Sequence, residues 1–177
     1  MNTLENLYSR KSIRSYNGEN ITEAELKEIL KAACAAPVGR AKYETLTLTV
    51  ISNADYLSRW EEATAVFADA PGLHPFYGAP TVILVSSIVP PAPQDNVSYS
   101  NAAIIVQNMA LAAVELGIGA CHIWGAVRAL NESPELIREL NLPDEMVPCC
   151  AIALGHMDEK YVLRAVQDDR IRTDYMR

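Results

Sequence analysis

Apolar residues recur at helical spacing over residues 21–36 and predict the clearest helix of the chain. Thr22 and Glu25 match a capping box at its start, with Ile21 and Leu26 spaced to pack against each other across it. The rest of the predicted apolar face consists of Ile29, Leu30, Ala33 and Cys34. A proline and a glycine follow within five residues, and both residue types commonly end helices.

Shorter patterns predict four strands and three further helices. The strands are expected at residues 46–51, 81–89, 120–124 and 147–154, where β-branched and aliphatic residues cluster between turn signals. The helices are expected at residues 54–69, 100–116 and 133–142. In the last of these, Ser133 would cap the helix and Pro134 would occupy its first turn.

Two segments carry apolar residues on every side. In the helix predicted at residues 100–116, only Gln107 and Asn108 are polar near the middle, so we expect it to be buried, in part against a partner subunit. The run from Cys149 to Ile152 does not alternate, which predicts a strand covered on both faces. Together these patterns predict a single layered domain over residues 1–177, of the α+β or α/β class.

Composition limits the function. There are 22 acidic against 15 basic residues, a net charge of −7, which argues against binding nucleic acid by bulk charge. We find neither an apolar run of about 20 residues nor a signal-peptide pattern, so we expect a cytoplasmic protein without a membrane partner. The four cysteines lack zinc spacing and are expected to be free, buried thiols. The three histidines are scattered, so no metal site is expected.

Residues 9–16, with sequence SRKSIRSY, are a basic exception in this acidic chain. Arg10, Lys11 and Arg14 lie there within five residues, and guanidinium groups suit phosphate oxygens. Near the other end, Arg170 and Arg172 would point the same way in an extended segment. The two clusters could form an anion clamp. The alternative for residues 9–16 is a solvated turn before the first predicted helix.

The segment from Leu116 to Gly125 joins the apolar helix to a short strand. Gly125 would let a ligand approach the backbone closely, or it could simply end the strand in a turn. The chain has no Rossmann fingerprint, no phosphate-binding Walker loop and no nucleophile elbow. If the protein is an enzyme, we therefore expect a bound cofactor to carry the chemistry.

Three ordered sets of segments resemble the FMN-dependent nitroreductase family. The first set is residues 9–16 with Ala35-Ala36-Pro37; the second is residues 77–85, 107–113 and 116–119; the third is residues 152–156 with Arg170 and Arg172. Each is weak alone, but together they cover most of the chain in the family's order. The resemblance implies an α+β three-layer sandwich. Its sheet would be mixed but mostly antiparallel, with four to five strands flanked by helices, in an intertwined homodimer.

The resemblance also implies site residues, with one FMN per subunit at the dimer interface. Arg10, Ser12, Arg170 and Arg172 would hold the phosphate, with Lys11 beside them and Arg14 toward the ribityl chain and the pyrimidine edge. Ile123, Trp124 and Gly125 would line the flavin ring, with the Gly125 N–H near N5. Val38, Gly39 and Arg40 would reach the flavin of the other subunit.

The implied activity is an oxidoreductase that uses NAD(P)H through FMN, in a ping-pong order, to reduce nitroaromatics, quinones or similar small molecules. No side chain would be catalytic in its own right. Two alternatives stay open. One is a non-catalytic flavin-binding or sensing protein on the same fold, and the other is a module of unrelated fold that binds another phosphorylated ligand.

Overall fold

The computed structural model describes residues 2–177, in which four strands form one sheet with helices on both faces. The helices are α1 (Thr3–Ser9), α2 (Glu23–Cys34), α3 (Ala54–Phe67), α4 (Asn96–Leu116), α5 (Gly125–Asn131) and α6 (Pro134–Glu139). The strands are β1 (Leu46–Ile51), β2 (Thr81–Ile88), β3 (Gly119–Ile123) and β4 (Met146–Gly155). Two short 3₁₀ turns, Gly39–Ala41 and Tyr43–Thr45, lie between α2 and β1.

The strand order is β1-β2-β4-β3, so β4 and β2 form the centre and β3 is an edge. All three neighbouring pairs are antiparallel. The predicted number of strands is confirmed, but the sheet within residues 2–177 has no parallel pair, whereas a mixed sheet was predicted. An edge strand keeps one row of backbone groups unpaired, and this row of β3 receives the basic N-terminal segment described below.

Side chains of β4 alternate between two cores, which explains its unbroken apolar run. Cys150, Ile152 and Leu154 face α2 and α4, whereas Ala151 and Ala153 face α3, α5 and α6. Helices on both faces make three layers, as predicted for the α+β sandwich. Burying each large aliphatic side chain contributes roughly 1.5–3 kcal/mol, so these two cores dominate the stability of the fold.

Local signals in the sequence identified helix α2 correctly. The Thr22 hydroxyl accepts a hydrogen bond from the Glu25 N–H at 3.3 Å, and the Glu25 carboxylate accepts one from the Thr22 N–H at 2.7 Å. This reciprocal pair satisfies two backbone donors that the first helical turn leaves open. The capping box is therefore confirmed, and α2 begins at Glu23, one residue after the capping residue Thr22.

Several boundaries differ from the prediction. Helix α4 begins at Asn96, one turn earlier than predicted. Helices α1 and α5 were not predicted, because seven residues contain too few turns for an apolar period to show. Ser133 does not cap α6; its hydroxyl donates instead to the Ala129 carbonyl at 2.8 Å. Cys34 is exposed, so the prediction that all four thiols are buried is wrong for this one.

Among the helices of residues 2–177, only α4 is long and apolar enough, by length and composition, to cross a membrane. Half of its most apolar window is buried inside the protein, where it packs on α2 and the sheet. Its buried positions include Ala102, Ile105, Val106 and Met109, which recur at helical spacing. That pattern is typical of the core helix of a globular domain.

Candidate functional site

The basic N-terminal segment is fixed along the edge of the sheet. The Ile13 N–H donates to the Ala120 carbonyl of β3 at 2.9 Å, and the Ile13 side chain is fully buried. Neighbouring residues of an extended chain face opposite ways, so Ser12 and Arg14 point away from the core. The alternative of a solvated turn is wrong, because Ile13 anchors the segment from within the core.

Tyr16 locks the far end of this segment. Its hydroxyl lies 3.2 Å from the Ile13 carbonyl and 3.3 Å from the Ala153 carbonyl. The ring packs against Gly119 and Gly155, where an added Cβ would stand 3.0 and 3.1 Å from Tyr16 ring atoms. At Gly155 the same Cβ would also lie 2.6 Å from a Pro80 side-chain atom. The glycines at the ends of β3 and β4 therefore make room for the segment.

The outward cations of the segment are not neutralised. Of the ion pairs formed within residues 2–177, none involves Arg10 or Arg14, whereas Lys11 pairs with Glu159. The Arg14 guanidinium lies over the Tyr77 ring, 5.6 Å from its centroid. A hydrogen bond with the Tyr77 side chain is the main influence that raises the pKa of Arg14. This leaves positive charge on an otherwise acidic protein.

Two titratable residues of β3 lie under these cations. Burial raises the pKa of the Cys121 thiol, although the charge of Arg14 and a hydrogen bond with Ser12 oppose the shift. Burial also lowers the pKa of His122, and the nearby charge of Arg10 adds to that effect. The His122 ring is therefore neutral at pH 7. Residues 2–177 contain no cluster of three metal-ligating side chains.

A cleft of about 480 Å³, here called the loop cleft, opens where β3 ends. It is lined by Thr64, Phe67, Ala68, Leu73, Pro75, Tyr77, His122, Ile123, Trp124, Gly125, Ala126 and Arg128. Gly125 is the first residue of α5, and a Cβ built on it would meet nothing within 4 Å. Its N–H donates no hydrogen bond within residues 2–177. The cleft therefore brings together the three residues predicted to line a flavin ring.

Trp124 and Arg128 form a ridge on the border of the loop cleft. A second cleft of about 630 Å³ lies beyond them, between α4, α5 and β4. The Arg128 guanidinium lies 5.4 Å from the centroid of the Trp124 ring and 5.5 Å from that of Phe67. Helical spacing explains the first contact, because Arg128 follows Trp124 by four residues and its N–H donates to the Trp124 carbonyl.

The C-terminal tail meets the N-terminal segment through a residue that the sequence did not single out. Arg164 donates to the Tyr8 carbonyl at 2.9 Å and also to the Arg10 carbonyl. Beyond it every residue is exposed, including Arg170 and Arg172. Arg172 pairs with Asp174 at 3.1 Å, and no hydrogen bond within residues 2–177 joins Arg170 or Arg172 to Arg10 or Ser12.

Residues 38–40 lie elsewhere in the same chain. The Gly39 N–H donates to the Asn101 side chain at 3.1 Å, near the start of α4. The N-terminal arm contacts the same helix ten residues later, through the Asn6 side chain and the Leu111 carbonyl. A rise of 1.5 Å per residue separates these contacts by about 15 Å along the helix. None of Val38, Gly39 and Arg40 is among the residues that line the loop cleft of their own chain.

Tyr77, Arg128 and Arg164 are parts of this region to which sequence reasoning gave no role. Tyr77 had a usable signal, because an aromatic residue before Gly78 in a proline-rich loop suits a turn, and its φ is +57°. A helix predicted to begin at Gly125 would have placed Arg128 beside Trp124, four residues earlier in the sequence. Arg164 had no signal, since it meets residues more than 150 positions away.

Sequence comparison identifies the family. Residues 7–156 match the sequence model described as the nitroreductase family. The chain belongs to the nitroreductase family. A Methanothermobacter thermautotrophicus protein, provisionally named NADH dehydrogenase/NAD(P)H nitroreductase, is 30% identical over 181 residues. That alignment covers 98% of this chain and 87% of the relative.

Solved structures of nitroreductases share the fold. A Bacteroides fragilis nitroreductase with bound FMN is 28% identical with a TM-score of 0.79, covering 99% of this chain and 100% of the other. A nitroreductase from Desulfitobacterium hafniense gives a TM-score of 0.84 at 24% identity, covering 99% of this chain and 100% of the other. The nitroreductase-like fold is thus confirmed, which excludes the module of unrelated fold.

Proposed function

We propose that this protein is an NAD(P)H-dependent FMN oxidoreductase that reduces nitroaromatics, quinones or similar small oxidised molecules. The observation that supports this most is the pair of unneutralised cations, Arg10 and Arg14, fixed on β3 beside the loop cleft. A nitroreductase of known structure with 28% identity contains FMN, and a relative of similar length carries an NAD(P)H nitroreductase name.

The residues fit FMN in charge and in shape. A phosphate ester needs cations and hydroxyl donors, which Arg10 and Ser12 offer on the outward side of the segment. A planar ring needs a backbone that it can approach closely. Gly125 offers open space where another residue would carry a Cβ, and an N–H without an internal acceptor. Arg14, held over Tyr77, is directed at the same region and would meet the pyrimidine edge.

The tail would supply the other half of the phosphate site. Arg164 and the Lys11–Glu159 ion pair hold the start of the tail against residues 8–11. The exposed residues that follow Arg164 therefore begin close to the proposed phosphate site. In this proposal Arg170 and Arg172 turn onto the phosphate when the ligand binds. Arg172 would then exchange its exposed Asp174 partner for a dianion, which attracts a guanidinium more strongly.

A homodimer would complete the site. Residues 38–40 contact α4 near Asn101, about 15 Å along the helix from the contact of the N-terminal arm, and none of them lines the loop cleft of the same chain. The outer surface of the same helix exposes Val97, Tyr99 and Ile104, which is apolar area that a partner could cover. Val38, Gly39 and Arg40 would then reach the flavin held by the partner.

When bound, FMN supplies reversible two-electron chemistry at its N5 atom, between NAD(P)H and an oxidised substrate in a ping-pong order. The chain's own residues would do the rest. Arg10, Ser12, Arg170 and Arg172 bind the phosphate, and Arg14 places positive charge at the pyrimidine edge, where it favours added electron density. The Gly125 N–H would orient the ring by donating to it. Ile123 and Trp124 exclude water from one side of the cleft.

The test is flavin uptake followed by anaerobic reduction with NADH and with NADPH. We expect a yellow dimeric protein whose flavin absorbance is bleached by at least one nicotinamide and restored by a nitroaromatic or a quinone. A protein that takes up no FMN would overturn the proposal. Bound FMN that neither nicotinamide reduces would instead support the non-catalytic flavin-binding alternative.

A further inference from the structure

The two ends of the loop cleft differ in chemistry. One end, at Tyr77 and His122, lies next to Arg14 and so belongs to the flavin site proposed above. The other end is formed by Phe67, Trp124 and Arg128, of which only Trp124 has a place at the flavin ring in the proposed function. Trp124 is 61% exposed and Phe67 44% exposed, and because both line the same cleft they present a shared aromatic surface to solvent.

Arg128 is held so that its donors are free. The central carbon of its guanidinium lies over two aromatic rings, 5.4 Å from the centroid of Trp124 and 5.5 Å from that of Phe67. Its side chain forms no ion pair or hydrogen bond within residues 2–177. A guanidinium that lies over aromatic rings and has no internal acceptor keeps its N–H groups available for the two oxygens of a carboxylate.

The surroundings reinforce a preference for negative charge. No Asp or Glu lines the loop cleft, although the protein carries 22 such residues and a net charge of −7. His122 is neutral at pH 7, so the charged groups at the cleft are Arg128 and, at the far end, Arg14. An anion would therefore be attracted to this cleft and repelled by the protein as a whole.

We propose that the Phe67–Trp124–Arg128 end of the loop cleft binds a planar aromatic molecule that carries a carboxylate. The ring stacks on the exposed aromatic faces, and the carboxylate accepts hydrogen bonds from Arg128. This inference rests on the proposed function, because it names the substrate class of the same site. Phe67 acts as a positioning residue, since it contacts Arg128 and directs the guanidinium.

The first test compares 4-nitrobenzoate with its neutral counterpart 4-nitrobenzamide as oxidants of the FMN-loaded protein. In each turnover the nitro group takes up two electrons and two protons and loses one oxygen as water. NAD(P)H supplies a hydride and becomes NAD(P)⁺, and the solvent supplies the second proton. We expect kcat/KM to favour the carboxylate by about tenfold, a modest value because Arg128 is exposed.

Arg128→Gln should bring this ratio to about one, and Arg138→Gln is the matched control. Arg138 is an exposed arginine on α6 that lies outside the loop cleft, so its loss changes net charge equally and should leave the ratio unchanged. Phe67→Leu should lower the ratio partly, because it keeps apolar volume but removes the ring under the guanidinium. A ratio that stays the same in wild type and Arg128→Gln would overturn the inference.

Direct binding separates this inference from the proposed function. Calorimetric titration of the purified protein with benzoate and benzamide requires no turnover. We expect benzoate to bind about tenfold more tightly in the wild type and equally in Arg128→Gln. That result would support the carboxylate site even if no nicotinamide reduced the flavin. Equal binding of the two probes by the wild type would refute it even in a fully active enzyme.

Discussion

Two short segments of this protein share an isoleucine beside arginine, yet only one is held in place. In Ser12-Ile13-Arg14 the isoleucine is fully buried and its N–H is bonded to β3. In Arg170-Ile171-Arg172 the isoleucine is 80% exposed and the segment belongs to no helix or strand. The first segment has its geometry before any ligand arrives, whereas the second has to acquire it on binding.

The difference has an energetic consequence. A preformed donor pays little entropy when it contacts an anion, but a free tail must lose backbone and side-chain freedom, at roughly 1–2 kcal/mol for each backbone residue that becomes fixed. Arg10 and Arg14 should therefore set where the phosphate and the ring lie. Arg170 and Arg172 should instead add affinity and slow the loss of ligand.

The largest effect should come from truncating the two isoleucines. Ile13→Ala should lower the free energy of unfolding by about 2–5 kcal/mol, because it leaves a cavity at the anchor of the N-terminal segment. Ile171→Ala removes the same atoms from an exposed site and should change stability by no more than about 0.5 kcal/mol. Urea unfolding of both variants measures this. Equal losses would mean that the tail is packed as firmly as the segment.

The next largest effect should come from removing one arginine of the proposed phosphate site at a time. We expect Arg10→Ala and Arg172→Ala each to weaken FMN binding by about 1.5–3 kcal/mol, the value of a charge-assisted hydrogen bond. Fluorescence titration with FMN measures the affinity, and Arg138→Ala on α6 serves as the charge control. The comparison predicts that Arg172→Ala acts mainly by faster dissociation. Unchanged affinity in both variants would refute the phosphate assignment.

What the sequence predicted depended on how local each interaction was. The capping box of α2 lies within four residues, and the alternating faces of β4 lie within one strand, so their patterns are complete in the sequence. The anchoring of Ile13 joins residues more than a hundred positions apart. An isolated isoleucine between polar residues carries no sign of that burial.

The site was predictable in type but not in arrangement. The Arg10 and Arg172 clusters suggested an anion and, with the resemblance, FMN. The sequence did not indicate the contact of Arg128 with Trp124, because α5 is only seven residues long and its start at Gly125 looks like the end of a strand. The sequence also gave no reason to treat Arg164 differently from any other tail arginine. A long-range contact determines its role.

A smaller effect should come from the link between tail and segment. Arg164→Gln removes charged donors to two backbone carbonyls and should cost about 1 kcal/mol of stability, given their partial exposure. The heteronuclear NOE of the backbone amides of residues 160–170 should fall, because the tail loses its anchor and gains fast motion. Arg172→Gln is the control, since that residue pairs only with Asp174 nearby. An unaltered NOE in Arg164→Gln would show that other contacts hold the tail.

The smallest effect concerns the pKa of His122, which burial and the charge of Arg10 both lower from the ordinary value of 6.5. The unfolded chain therefore takes up a proton at a higher pH than the folded protein. Stability contributed by this group is present above pH 6.5 and declines as pH falls toward the folded pKa. Proton NMR titration of the imidazole, assigned with His122→Gln, measures the midpoint directly.

The same titration distinguishes the two arginine clusters. Arg10→Gln should move the His122 midpoint upward, because it removes a nearby positive charge and makes protonation easier. Its stability should then fall less between pH 6.5 and the folded pKa than that of the wild type. Arg172→Gln should leave the midpoint in place, since the free tail does not lie beside β3. A shift in the Arg172 variant as large as that in the Arg10 variant would mean that the two clusters already meet without a ligand.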